Sequence, residues 1–193
     1  MAGGEMQLEQ EIAAAEETLM AARQNLADLR RQRPLEKFED HVLTSYEVGE
    51  VRLSELFGKK RDLLIVHNMG ENCPYCTMWA DGLDGVLDHL LSRTGFAVVS
   101  PDPPDAQAEF LRKRQWRFRL LSNHGGEFTK AAGFETDDGS PMPGVSAFRM
   151  TEEGDIFRVG RSFFGPHDDF CAVWHLFDLL QDGAAGWQPK FSY

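Results

Sequence analysis

The fold is decided by a stretch that joins an apolar run to a pair of cysteines, Leu63-Leu64-Ile65-Val66-His67-Asn68-Met69-Gly70-Glu71-Asn72-Cys73-Pro74-Tyr75-Cys76. The apolar run predicts a buried strand. Apolar residues then recur at helical spacing, at Trp79, Leu83, Val86 and Leu90. A strand that ends in a CxxC motif and leads into a helix is typical of thiol-disulfide exchange.

The spacing of the motif predicts a role for each cysteine. Residues three apart are neighbours on a helix, so the sulfurs of Cys73 and Cys76 come within disulfide range. With Cys73 as the helix cap, Pro74 occupies the first helical position, where its missing N–H costs nothing. Cys73 then faces the free amides of the helix, and thiols in such motifs have pKa values lowered from about 8.5 to roughly 3.5–7.5. We expect Cys73 to be the nucleophile and the more buried Cys76 to be the resolving thiol.

The helix after the motif is expected to run to about Leu91 with a possible bend. Gly82 and Gly85 lie within it, and each glycine lowers helix propensity by about 1 kcal/mol relative to alanine. The four apolar positions after the motif predict one buried stripe.

Composition places the chain among globular proteins. It has 193 residues, 42% hydrophobic and 26% charged, which suits one domain with a real core. No apolar run approaches the roughly 20 residues that cross a bilayer, and the first residues lack the features of a signal peptide. Three cysteines, two of them in the motif, suit a reducing compartment. We therefore expect a cytoplasmic protein, and the third cysteine, Cys171, is assigned no role.

Net charge argues against two classes of partner. Lys and Arg number 20 against 31 Asp and Glu, which gives −11 and opposes binding to nucleic acid or to an anionic membrane. One basic run interleaves five cations with two aromatic residues, Arg112-Lys113-Arg114-Gln115-Trp116-Arg117-Phe118-Arg119. A solvated helix end that leads into a strand explains this run, so we expect neither partner.

An N-terminal helical arm, residues 1–36, is expected to precede a domain at residues 37–193. Its apolar residues alternate at spacings of four and three, as in a heptad seam, at Leu8, Ile12, Ala15, Leu19, Ala22, Leu26 and Leu29. Pro34 ends the helix. The seam has two possible uses, packing on its own domain or pairing with a second copy, and we favour a homodimer through this helix.

The rest of the chain alternates predicted strands and helices. Short apolar runs at 63–66, 96–100 and 118–121 are separated by helical segments, which favours parallel strands with crossover helices. Asp105 is a candidate cap for the second of these helices. Two runs at 145–150 and 156–159 flank a turn and predict a hairpin. A final helix is expected from about His167 to Leu180, with these residues buried: Phe170, Val173, Trp174, Phe177 and Leu180. The fold class is α/β, a central mixed sheet flanked by helices with an extra N-terminal amphipathic helix.

This order of elements, with CxxC at the head of a helix, resembles the thioredoxin fold. Met142-Pro143-Gly144-Val145 occupies the place where thioredoxin-like proteins carry a cis-proline beside the active-site cysteines. The resemblance implies that Pro143 is the cis residue and that Met142 and Pro143 receive substrate. Pro74 and Tyr75, between the cysteines, are the other expected substrate-binding residues.

Residues from about 45 to 182 further resemble a bacterial thioredoxin-like family known only as a domain of unknown function, related to thioredoxins and peroxiredoxins. The matching positions are Cys73 to Gly82 and Pro143 to Phe148. Two departures stand out. Thioredoxins place a tryptophan where this chain has Asn72, and peroxiredoxins carry Pro-x-x-x-Thr-x-x-Cys where this chain, aligned on Cys76, has Met69 and Cys73.

These observations predict a thiol-disulfide oxidoreductase that reduces a protein or small-molecule disulfide, is restored by a cellular thiol reductant and needs no cofactor. One alternative is a peroxiredoxin-like thiol peroxidase. Another is a non-catalytic dimeric module whose CxxC senses redox state or binds zinc, although zinc needs two more ligands and the candidates Cys171, His67 and His124 are scattered.

Two residues outside the motif are candidate accessory groups. His67 ends the strand before the motif and could tune the cysteines or shuttle protons, although a partly buried histidine bonded to backbone is the plainer interpretation. Arg161 follows the hairpin and could reach a thiolate or an oxyanion.

Overall fold

The computed structural model describes residues 2–193, with side chains from residue 4 onwards. The chain divides into two compact units, one up to Leu35 and one from Glu36 to Tyr193. The first unit consists of helix α1, Ala2–Arg31. Pro34 follows three residues later, in keeping with the predicted helix end.

The second unit contains eight strands, five α-helices and one 3₁₀ helix among the described residues. In chain order they are β1 Glu36–Phe38, β2 Val42–Ser45, β3 Gly49–Arg52, the 3₁₀ helix Leu53–Phe57, β4 Asp62–His67, α2 Pro74–Gly85, α3 Leu87–Arg93, β5 Gly95–Ser100, α4 Pro104–Arg114, β6 Arg119–Ser122, α5 Glu127–Ala131, β7 Gly144–Met150, β8 Ile156–Phe163 and α6 Ala172–Phe177.

All eight strands form one sheet in the order β1-β8-β7-β4-β5-β6-β2-β3. β4, β5 and β6 run parallel, and β7 pairs antiparallel with both β4 and β8. The predicted α/β class with a mixed central sheet is confirmed. The parallel strands bring their carboxyl ends to one edge, and α2 begins after the end of β4 at that edge.

The sheet separates two hydrophobic cores because successive side chains of a strand point to opposite faces. We call one the histidine face, where Leu63 and Ile65 of β4 pack with Phe128 and Phe134. We call the other the dithiol face, where Val66 packs in one cluster with Cys76. Side chains of α2, α4 and α6 belong to the dithiol face, and α5 and the 3₁₀ helix contribute to the histidine face.

The helix after the motif is interrupted, and the interruption changes which residues are buried. α2 ends at Gly85 and α3 begins at Leu87. The predicted core residue Val86 is 45% exposed, whereas Leu87 is 3% exposed. The prediction is therefore wrong at Val86, whose place in the core Leu87 takes, while Leu83 and Leu90 pack against the dithiol-face core as predicted.

The last helix and one cap also differ from expectation. α6 covers only Ala172–Phe177, because Asp168 instead folds the preceding segment into a turn by accepting hydrogen bonds from the backbone N–H groups of Gly165 and Phe170. Phe170 and Leu180 are exposed. The cap position of α4 is Pro103 rather than Asp105. No helix among residues 2–193 is long and apolar enough to span a bilayer.

A candidate dithiol active site

The site begins with the loop of residues 68–72, which we call the approach loop. The Asn68 N–H continues the pairing of β4 with β5 by donating to the Val99 carbonyl at 2.8 Å. The Asn68 side chain then accepts a hydrogen bond from the Gly70 N–H at 2.8 Å. Gly70 has a φ of +108°, a conformation that glycine adopts readily and other residues rarely do. The loop therefore turns sharply off the sheet before it reaches Cys73.

Asp102, just after the neighbouring strand β5, supports this loop. Its carboxylate accepts the Glu71 N–H at 3.0 Å and the Ser100 hydroxyl at 2.8 Å. A Cβ atom built on Gly70 would lie 2.8 Å from an Asp102 carboxylate oxygen, so the backbone and the carboxylate pack closely. Sequence reasoning missed Asp102, although its place at the carboxyl end of a strand parallel to β4 was a usable signal.

Cys73 caps helix α2 as predicted. It has an extended backbone with φ −103° and ψ 102°, and Pro74 follows at the first helical position. The Cys73 sulfur accepts a hydrogen bond from the Cys76 N–H at 3.0 Å. Its carbonyl accepts the N–H and the hydroxyl of Thr77, both at 3.0 Å. The sulfur thus lies against the otherwise unpaired amides at the start of the helix.

The two cysteines differ in exposure and in proton affinity. Cys73 is partly exposed, whereas Cys76 is 3% exposed, and both are free thiols. The pKa of Cys73 is lowered to about 7, chiefly by a hydrogen bond from the Cys76 thiol, then by the N–H groups of Cys76 and Tyr75, against opposition from burial. The pKa of Cys76 is raised, because its thiol is engaged by Cys73 and because it is buried. Cys73 is the sulfur that ionises first.

An aromatic cluster lies beside the dithiol. The Tyr75 ring lies 6.3 Å from Trp79 and 6.2 Å from Trp174. Trp79 is 3% exposed and also contacts Phe164, with ring centroids 5.3 Å apart. Tyr75, predicted to contact substrate, remains partly exposed at the edge of this cluster. The cluster fixes the first turn of α2 against the dithiol face.

The segment predicted to contain a cis-proline is trans. All peptide bonds among residues 2–193 are trans, so the prediction of a cis-proline at Pro143 is wrong. Here the backbone follows regular pairing: the Met142 N–H donates to the Phe134 carbonyl at 2.8 Å and the Pro143 carbonyl accepts the Phe164 N–H at 2.9 Å. Because Gly144 pairs with His67, Pro143 lies opposite the start of the approach loop, while Met142 packs against the histidine-face core.

His67 lies on the opposite face of the sheet from the cysteines. Its ring stacks on Phe134 at 3.9 Å and on Phe128 at 5.5 Å, and its Nε2 is 2.9 Å from the Ser146 hydroxyl. It is 2% exposed. Burial, with a smaller contribution from Arg158, lowers its pKa to about 3. The partner is a side chain rather than the predicted backbone, and the neutral ring is not placed to act on Cys73.

Arg161 belongs to the same face as His67. It pairs in register with Ser146. Its guanidinium lies 6.0 Å from the Phe163 ring, and one guanidinium nitrogen lies 2.6 Å from the position that a Cβ atom on Gly133 would take. The structure therefore brings together the two cysteines, Pro74 and Tyr75, but sets His67 and Arg161 apart from them. The position of Arg161 therefore does not support a contact between its guanidinium and the Cys73 thiolate.

Two cations of the basic run pair with acids of α2 and α3. Arg114 and the Trp116 indole both donate to Asp81, and Arg117 pairs with Asp84 and Asp88. Trp116 and Phe118 are buried. The run is thus a helix end leading into a strand.

The described residues contain no group of three or more His, Cys, Asp or Glu side chains arranged to hold a metal ion. Cys171 is 5% exposed and burial raises its pKa. Nothing in the described part of the chain supplies the further ligands that the zinc alternative requires.

Fold and site together define a protein of the thioredoxin fold with a CxxC pair at the start of the helix after its central strand. Residues 6–189 match a family described as "Bacterial protein of unknown function (DUF899)". The chain belongs to this family. No curated protein sequence matches it.

Solved structures with a similar fold include peroxiredoxins. Peroxidoxin BcpB from Mycobacterium tuberculosis is 20% identical, with a TM-score of 0.53 over 67% of this chain and 84% of that chain. A peroxiredoxin-like protein from Aquifex aeolicus is 15% identical, with a TM-score of 0.52 over 69% and 77%. The reduced 2-Cys peroxiredoxin of Plasmodium vivax is 17% identical, with a TM-score of 0.52 over 70% and 86%. At these identities the similarity establishes the fold.

Proposed function

We propose that this protein is a thiol-disulfide oxidoreductase in which Cys73 attacks and Cys76 resolves. The observation that carries the proposal is the Cys73 sulfur at the cap of α2, where it accepts the Cys76 N–H at 3.0 Å. Donors directed at a sulfur stabilise the thiolate, which is the nucleophile in exchange. A pKa of about 7 is close to the optimum for an attacking thiol at neutral pH.

The first step uses the Cys73 thiolate. Its sulfur forms a bond to one sulfur of the substrate disulfide, the substrate S–S bond breaks, and the other substrate sulfur leaves as a thiolate that takes up a proton from solvent. The product is a mixed disulfide between Cys73 and the substrate. Cys73 is partly exposed, as an attack on a substrate disulfide requires.

The second step uses Cys76. Once Cys73 is in the mixed disulfide, its sulfur carries no negative charge and no longer accepts a hydrogen bond from the Cys76 thiol. Both interactions raise the pKa of Cys76, so their loss makes Cys76 easier to ionise. Cys76 loses its proton and bonds to the Cys73 sulfur, and the bound substrate sulfur leaves and is protonated. The substrate has gained two electrons and the protein holds a Cys73–Cys76 disulfide. A cellular dithiol or two monothiols return the electrons.

Trapping tests these roles. A Cys76→Ser variant should accumulate protein disulfide-linked to substrate through Cys73, because the resolving step is blocked. A Cys73→Ser variant should trap little, because Cys76 is buried and its pKa is raised. Cys171→Ser is the matched control and should behave as the parent. Equal trapping by the Cys73→Ser and Cys76→Ser variants would reject the assignment.

A thiol peroxidase that uses the same pair is the second candidate. Cysteines that form sulfenic acids have a low pKa, are accessible and often lie beside a resolving cysteine, and Cys73 has this arrangement with Cys76. The Cys73 thiolate would bond to one peroxide oxygen while the O–O bond breaks, which leaves a sulfenic acid and releases water or an alcohol after protonation. The Cys76 sulfur would then bond to the Cys73 sulfur and displace hydroxide, which leaves as water, to form the disulfide. Consumption of peroxide that outpaces reduction of a protein disulfide would favour this candidate over the first.

A further inference from the structure

Helix α1 presents an apolar seam along its whole length. The larger seam residues are all exposed in the single chain, between 43% and 56%: Leu8, Ile12, Leu19, Leu26 and Leu29. Ala15 and Ala22 occupy the remaining seam positions. An isolated helix gains little stability from propensity alone, and packing of an apolar face normally stabilises it. A seam of about four heptads is the pattern by which one helix pairs with another helix of the same repeat.

The residues that flank the seam are divided by charge. In a heptad whose a positions are Ile12, Leu19 and Leu26, the e positions hold Glu9 and Glu16 in the first half and Arg23 and Arg30 in the second. After Glu17 the helix has one further acid, Asp28, which lies away from the seam and pairs with Arg31 at 2.6 Å. Each helix therefore has an acidic half and a basic half along the same edge.

This division selects the direction of pairing. In a parallel pair, g residues face e residues of the next heptad, so Glu11 would lie beside Glu16 of the second copy, and no acid of that copy would lie beside Arg23 or Arg30. In an antiparallel pair, e residues face e residues. If Ile12 packs against Leu29 of the second copy, Glu9 lies beside its Arg30 and Glu16 beside its Arg23. Two-fold symmetry repeats both pairs.

We propose that α1 is a self-association surface that pairs antiparallel with α1 of a second copy of this chain, in the register that joins Ile12 to Leu29. The charge pattern of this one helix supplies both sides of the match. This inference is independent of the dithiol chemistry, since no residue of the proposed contact belongs to the site.

Charge reversal tests the pairing in the full-length protein. Glu9→Arg/Glu16→Arg turns four attractive pairs into repulsive ones, and so does Arg23→Glu/Arg30→Glu. Each double variant should dimerise roughly 100-fold more weakly than the parent in sedimentation equilibrium. An equimolar mixture of the two variants restores all four attractive pairs and should form a heterodimer of near-parental affinity. In a parallel pair, Glu9→Arg/Glu16→Arg would instead strengthen the dimer, since the arginine introduced at position 16 would face Glu11.

The matched control is Glu17→Arg, which changes the neighbouring residue on the outer side of the helix. It should leave dimerisation within about threefold of the parent, whereas Glu16→Arg should weaken it clearly. Circular dichroism of each variant checks that α1 still forms. A parent protein that remains monomeric at high concentration, or a variant mixture without recovery, would overturn the proposal.

Cross-linking tests the register. In a background with Cys73→Ser and Cys76→Ser, Ile12→Cys protein mixed with Leu29→Cys protein should form a disulfide-linked heterodimer on oxidation. Ile12→Cys protein alone should not, because the two copies of position 12 lie about 25 Å apart in the antiparallel pair, at 1.5 Å per residue. Efficient cross-linking of Ile12→Cys alone would overturn the antiparallel arrangement.

Discussion

On the dithiol face, the Cys73 sulfur is met by hydrogen-bond donors of α2 and its pKa falls to about 7. On the histidine face, the His67 ring is stacked on Phe128 and Phe134, and its Nδ1 has no hydrogen-bond partner in the described part of the chain. Its pKa falls to about 3. Both pKa values are lowered, but the consequences differ, because a lowered pKa favours the charged form of a thiol and the neutral form of an imidazole.

The difference shows that burial and donor placement are used for different ends on the two faces. At Cys73, hydrogen bonds outweigh the opposing effect of burial and favour the anion. At His67, burial dominates and the nearby Arg158 adds to it. A negative charge is therefore favoured at the start of α2, whereas the His67 ring is kept neutral on the other face. The histidine face is a packing surface, and the chemistry proposed here needs only the other face.

The largest expected effect is the difference in disulfide reduction between a substitution on the dithiol face and one on the histidine face. Cys73→Ser should lower the rate of disulfide reduction at least about 1,000-fold, since the nucleophile is lost. His67→Leu should leave the rate within about threefold, because the ring does not contact the dithiol. Both rates are measured on the same disulfide substrate after circular dichroism has shown folded protein. A loss of similar size in the folded His67→Leu variant would break the comparison.

Acid stability should report on His67. Its pKa is about 3 in the folded protein and near 6.5 when unfolded, so the unfolded chain binds an extra proton between these values and stability falls as pH falls through this window. From pH 7 to pH 5 this one residue should cost about 2 kcal/mol of unfolding free energy. Urea unfolding of the parent and of His67→Leu at both pH values measures it. An equal acid loss in the two proteins would contradict the expectation.

The approach loop sharpens the comparison at the dithiol face. Asp102→Ala removes the acceptor of the Glu71 N–H and the Ser100 hydroxyl, and should cost about 1 kcal/mol of stability. Because the loop positions Cys73, the exchange rate should fall about tenfold. Asp105→Ala, exposed on the first turn of α4, is the matched control and should change neither quantity much. Similar rates for both variants would show that the loop holds Cys73 without Asp102.

The smallest expected effect concerns the thiol donor alone. In a Cys171→Ala background, only Cys73 and Cys76 remain, and the alkylation rate of Cys73 should rise with a midpoint near pH 7. Cys76→Ala removes the thiol hydrogen bond, the largest cause of the lowered pKa, but keeps the backbone N–H. The midpoint should move upward, and an upward shift of one pKa unit should slow labelling at pH 7 roughly fivefold. An unmoved midpoint would assign the low pKa to the backbone amides.

Much of the fold follows from local patterns in the sequence. The buried runs of β4 and β5 and the seam of α1 each have a clear period, and the CxxC with Pro74 marks the cap of α2, because these signals depend on neighbouring residues. Gly82 and Gly85 predict a bend in this helix, but the pattern does not predict that Leu87 is buried in place of Val86. That shift depends on how two short helices pack on the sheet.

Other parts of the site depend on contacts between distant segments. Asp102 reaches the approach loop from 31 residues away, and Ser146 meets His67 across 79 residues. The face on which His67 and Arg161 lie follows from strand register, which the sequence specifies only through its pairing partners. The trans bond before Pro143 likewise depends on the partners that its neighbours find in Phe134 and Phe164.

Gly70 limits how this protein can be redesigned. Its φ of +108° and the Asp102 oxygen 2.8 Å from a Cβ position rule out almost any side chain there, whereas Asn72, two residues later, is exposed. A library that diversifies the approach loop to alter substrate choice should therefore keep glycine at position 70 and vary the residue at position 72. Selection from such a library would recover functional clones at one position and almost none at the other.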